Sequence, residues 1–150
     1  MLCLTMFVPV ISFLDYSVLD TYSFDIASET FDQLPDIPTG HTRGFCGTAV
    51  HPADGPEFII SGNFNSIDVY NINSSTWSTY GYLSNNPLGA AYVPYGDTFL
   101  YLGGSVASDL GIYQYDPETR TFFQRPESVS NNGGIDPLAI LIDGSVLNCV

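Results

Sequence analysis

A chain of 150 residues is long enough for one ordinary domain around a single core. Apolar residues make up 45% of it and aromatics 14%, with ten Tyr, ten Phe and fourteen Gly, which excludes a disordered chain and leans toward β structure. Three arginines and no lysine stand against sixteen acids, and the net charge of -13 argues against nucleic acid or an anionic lipid surface as a partner. The acids are scattered, so they read as solvated turn residues rather than as an interaction tail.

In chain order, residues 1–16 come first, and their apolar part, Met1–Leu14, carries no charged side chain. It reads either as the apolar region of a signal peptide or as a strand of a partial sheet. No stretch reaches the roughly 18 apolar residues of a membrane helix. From residue 17 to 150 the pattern is a repeat. Phe24-Asp25-Ile26-Ala27-Ser28-Glu29-Thr30-Phe31 aligns without gaps with Tyr70-Asn71-Ile72-Asn73-Ser74-Ser75-Thr76-Trp77, a step of 46. Tyr115-Asp116-Pro117-Glu118-Thr119-Arg120-Thr121-Phe122 follows after a further 45. The first aromatic ends a strand and packs into the core. Asp or Asn bonds its own backbone and starts a turn. The second aromatic opens an outer strand and is expected to cover the gap to the next sheet.

Upstream of each later turn lies an apolar strand closing on Gly, Phe58–Gly62 and Phe99–Gly103-Gly104, of the kind buried on both faces. Before those come small-residue strands, Phe45–Val50 and Leu88–Val93, expected where several sheets converge. His51–Pro56 and Pro94–Asp97 are the linking turns. The units are a partial one at about 6–38, two full ones at about 40–84 and 85–128, and the start of another at 135–150. The sequence shows no convincing helix. The fold class is therefore all-β, built of four-stranded antiparallel units.

These units resemble the kelch repeat of β-propellers. The resemblance rests on Phe24, Asp25 and Phe31, on Gly62, Tyr70, Asn71 and Trp77, and on Gly103, Gly104, Tyr115, Asp116 and Phe122. It implies an incomplete kelch-type propeller segment, since propellers close with roughly 4–8 blades and this chain holds three to four. Unclosed sheets leave edges that invite self-association.

Within the kelch-like group, Gly40–Cys46 is similar to the segment of galactose and glyoxal oxidases that holds a cysteine cross-linked to tyrosine. The resemblance places that tyrosine on the innermost strand of the following blade, near Leu88, which cannot serve. Tyr92 is a poor positional match, and only His41 and His51 are present where a copper site needs several converging ligands. Cys46 reads more simply as a small residue near the axis. Either Cys46 and Cys149 pair, leaving Cys3 over, or all three are free thiols. Asp54, Asp97 and Asp143 sit beside Gly in equivalent turns and are turn formers before they are calcium ligands. Asn73-Ser74-Ser75 is a glycosylation sequon, relevant if the chain is secreted. The absence of lysine, the cysteines and the apolar start lean toward an extracellular protein.

No catalytic residues, metal ligands or cofactor emerge. The reading is a non-catalytic module presenting loops to a protein or glycan. The loop that the copies do not share, with Ser105, Val106, Ala107, Ser108 and Asp109, is its candidate contact. Blades of a copper radical oxidase, and a gene fragment without independent activity, are the alternatives.

Overall fold

The computed structural model describes residues 5–6, 19–39, 45–62, 65–83, 90–102, 111–128, 138–142 and 145–149. They form thirteen strands in four antiparallel sheets, and no helix occurs among them. β1 (Thr5–Met6), β2 (Thr21–Asp25) and β3 (Thr30–Leu34) make sheet A. β4 (Phe45–His51), β5 (Gly55–Ser61), β6 (Ser66–Asn71) and β7 (Thr76–Tyr82) make sheet B. β8 (Ala91–Tyr95), β9 (Thr98–Leu102), β10 (Gly111–Asp116) and β11 (Thr121–Ser128) make sheet C. β12 (Leu138–Ile142) and β13 (Ser145–Cys149) pair as sheet D. Strands pair in chain order within every sheet, so each sheet is a meander. Two of them are the four-stranded units expected from the sequence. Thr5 and Met6 pair with Asp25 and Phe24; the rest of Met1–Leu14 lies outside the described residues.

The apolar runs bury both faces, as their composition requires. On β5, Phe58 and Ile60 join Tyr70 and Ile37 in a core on the sheet A side. Ile59 points the other way, where Ile67 and Val69 of β6 meet Phe99, Tyr101 and Tyr115 of sheet C. Leu100, Leu102 and Val93 form a third cluster on the opposite face of sheet C. The innermost strands converge, β4 against β8 and β9, and β8 against β12. Gly47 shows why small residues belong there, because a Cβ on it would lie 2.6–2.8 Å from the Phe99 ring. Val50 N–H donates to the Asp97 carbonyl at 2.9 Å, tying the β8–β9 turn to β4. Sheets B and C also share a register shift, between Ser66 and Asp68 and between Gly111 and Tyr113. The sheets stand one after another like blades and do not close into a ring among the described residues.

The outer aromatics correct one expectation. Trp77 packs on the core shared with sheet A, and its indole Nε1–H donates to the Pro35 carbonyl at 2.9 Å. Phe122 packs on the core shared with sheet B. The second aromatic thus covers the gap to the preceding sheet, because the cross-strand aromatics share the face that looks back along the chain.

Candidate functional site

The site is built on the repeated turn. In all three copies the two aromatics are cross-strand partners. Their ring centroids lie 4.8 Å apart for Phe24–Phe31, 5.2 Å for Tyr70–Trp77 and 5.1 Å for Tyr115–Phe122. The second residue holds the turn: Asp25 Oδ1 accepts from the N–H groups of Ala27 and Ser28, Asn71 Oδ1 from that of Ser74, and Asp116 Oδ1 from that of Glu118. The fifth and seventh residues then join hydroxyl to hydroxyl, Ser28 to Thr30, Ser74 to Thr76 and Thr119 to Thr121, at 2.7–2.8 Å. This explains the recurring Thr before the second aromatic. The sixth residue takes the left-handed conformation each time, with φ 56° at Glu29, 56° at Ser75 and 54° at Arg120.

At that left-handed position sheet C alone carries a long cation. Arg120 reaches back to sheet B, where its Nε–H donates to Glu57 Oε1 at 2.9 Å and its Nη2 serves both Glu57 Oε1 and Asp54 Oδ2. Glu57 is fully buried, Arg120 is 12% exposed and Asp54 48%. The guanidinium lies over the Tyr80 ring, 4.6 Å from its centroid. Burial by itself pulls the Arg120 pKa down, but the hydrogen bonds to Glu57 and Asp54 outweigh it and the net displacement is upward. The same hydrogen bond holds the Asp54 carboxyl below the usual carboxylate range, against a smaller opposing effect of burial. Glu57 Oε2 and the Tyr115 hydroxyl are buried with no hydrogen-bond partner. Burial first, then the Glu57 charge, pushes the Tyr115 phenol far up, so it stays neutral.

Glu57, Asp54 and Arg120 close one end of a cleft of about 420 Å³ whose walls include Asn71, Ser78 and Tyr80. A neighbouring cleft of about 210 Å³, with Tyr80 in common, continues past Tyr82 over Tyr101, Tyr113 and Phe122. Tyr80 and Tyr82 stand 44% and 74% exposed. The groove therefore runs along β7, polar at one end and aromatic at the other.

His51, Asp54 and Glu57 place one ligand atom each within 4.8 Å of one another. Two features argue against a metal there. The Arg120 guanidinium bridges both carboxylates, and His51 Nδ1 already accepts from the N–H groups of Ala53 at 3.2 Å and Asp54 at 2.9 Å. The donor set is satisfied by an organic cation.

The sequence-derived candidates fare unevenly. Gly62 is buried at the end of β5, while Gly103, Gly104 and the contact loop from Ser105 to Asp109 lie outside the described residues. Cys46 is a free thiol in the structure, and burial pushes its pKa up; the side chain of Cys149 lies outside the described residues. Tyr92 is half-buried on β8. Burial raises its pKa, its hydrogen bond with Thr48 opposes that, and the nearby Cys46 raises it further. Asn73 is exposed, but its amide donates to the Asp54 carbonyl at 2.8 Å. Sequence reasoning missed Glu57 and Arg120. Two signals were available, an acid inside the buried run Gly55–Ser61 and an arginine where the other copies carry Glu29 and Ser75.

No family model matches the chain, and no curated protein matches it. Among solved structures, that of YjhT, a protein of β-propeller type, aligns with a TM-score of 0.62 at 15% identity. The alignment covers 86% of this chain and 49% of that one, so the chain spans about half the length of that protein. The likeness places the chain in the propeller-like class of folds.

Proposed function

We propose that the chain is a non-catalytic binding module, a segment of a kelch-type propeller that presents its inter-sheet surface to a protein or glycan partner outside the cell. The observation that carries this reading is the groove along β7, which joins exposed tyrosines to amides, hydroxyls and a closed charge cluster. Tyrosines combine an apolar body with a polar tip, and convergent polar groups set orientation, which is how recognition surfaces are made. The charge of -13 disfavours nucleic acid and anionic lipid. The test is binding of the immobilised chain to arrays of glycans and of extracellular proteins. Specific capture on either is expected, and silence on both overturns the reading.

A second reading, blades of a copper radical oxidase, has one observation behind it. Cys46 on β4 and Tyr92 on β8 lie on neighbouring inner strands, near enough for the cysteine to act electrostatically on the phenol, although Cys46 packs toward sheet A and Tyr92 toward the core shared by sheets B and C. Incubation with copper(II) and dioxygen, followed by peptide mass analysis, separates the two readings. A thioether lacking the two hydrogens of the free pair supports the oxidase, and an unchanged Cys46 thiol removes it.

A further inference from the structure

We infer that the groove along β7 takes neutral sugar rings and rejects acidic ones. The inference rests on the binding-module reading above and names its ligand. The polar end holds one unpaired acceptor. Glu57 lines the cleft, fully buried and with Oε2 unpaired, so a small shift of the surrounding side chains would favour a ligand that donates a hydrogen bond to it. The positive charge of Arg120 is already matched by Glu57 and Asp54, leaving the cluster one negative charge in excess in a strongly acidic chain. A carboxylate or phosphate on the ligand would meet that excess, with Arg120 the one cation among the described residues lining the groove and already paired. A hydroxyl meets an acceptor.

The aromatic end supplies the other half of the recognition. Tyr80, Gly81 and Tyr82 all line the second cleft at the end of β7, where the register shift opposite Ser66 and Asp68 breaks the regular alternation of the strand. Gly81 has open space around it, with nothing within 4 Å of where a Cβ would stand. A pyranose has apolar C–H faces and hydroxyl edges. It can lie on the exposed Tyr82 ring while its edge turns toward the amides and hydroxyls beside Tyr80. A cleft of about 420 Å³ admits one or two such rings, within the roughly 300–1,000 Å³ range of small-molecule sites.

Saturation-transfer NMR on the full chain tests this, with cellobiose and N,N′-diacetylchitobiose as probes and a galacturonic acid dimer as the acidic control. Transfer to a neutral disaccharide is expected, with about five- to tenfold weaker binding in Tyr82→Ala, whose side chain is exposed enough for the fold to survive its loss. Absence of transfer to either neutral probe overturns the inference. So does binding of the acidic dimer at equal strength, or binding indifferent to Tyr82. If the chain captures a protein and no sugar, this inference falls and the binding-module reading stands. If it captures neither, both fall.

Discussion

Sheet B meets its two neighbours in different ways. Toward sheet A the junction is apolar, with Phe58, Ile60, Tyr70 and Ile37 in contact and Trp77 reaching the Pro35 carbonyl. Toward sheet C the apolar layer is capped by Arg120 clamped on a fully buried Glu57. The turn that launches the contact is the same in both sheets, down to the left-handed sixth residue. A repeated backbone fixes where a side chain starts, and one substitution at that point, Arg120 for Ser75, turns a turn filler into an inter-sheet clamp.

The sharpest way to break the contrast is Arg120→Ala. It strands the Glu57 carboxylate without its cation, and a loss of about 3–5 kcal/mol in denaturant unfolding is expected. Glu57→Leu combined with Arg120→Ala should recover most of it, making the junction resemble its neighbour. A double variant no better than the single one would refute this. Next in size is Gly47→Ala, which pushes a methyl into the buried Phe99 ring and should cost about 1–3 kcal/mol by the same measurement.

Tyr115→Phe runs the other way. It removes a buried hydroxyl with no partner while keeping the stacked Phe99 contact, so a gain of about 1 kcal/mol in thermal unfolding is expected. Ser75→Gly relieves a left-handed residue and should stabilise by a few tenths of a kcal/mol, since greater freedom in the unfolded chain offsets most of the relief. A large loss at Ser75 would show that its turn carries more than its Arg120 counterpart lets one see.

The smallest effect is a pH dependence. Hydrogen bonds from Ser28, with a further one from Ala27, hold the Asp25 carboxyl below its ordinary value of 3.8. A depressed folded value means its stabilisation is complete above that ordinary value and fades as pH falls through the lower folded one. Asp25→Asn copies the amide that Asn71 provides in sheet B. It should flatten the acid limb of the stability profile below about pH 4, and an unchanged limb would remove Asp25 from it.

Much of the architecture was legible in the chain because it rests on local rules. The cross-strand aromatics, the Asp or Asn that closes the turn and the apolar β5 and β9 each have a short-range physical cause, so three aligned windows were enough to expect four-stranded sheets. The site was not legible in the same way. Arg120 reads as a turn residue until the fold brings it against Glu57, and Glu57 reads as an interruption in an apolar strand until its partner arrives. The left-handed sixth position was equally hidden, since it carries Glu29, Ser75 and Arg120 rather than the glycine or asparagine that such a conformation favours.

The clamp also has a kinetic consequence. Every ladder in the four sheets joins consecutive strands, so each sheet can zip up from its own hairpins with little chain to close. The bond from Arg120 to Glu57 spans 63 residues and requires two finished sheets. We expect it to form after the rate-limiting barrier, once both sheets are in place. Loss of Arg120 should therefore leave the folding limb of a chevron plot nearly unchanged and steepen the escape from the native state, making this one side chain a brake on unfolding.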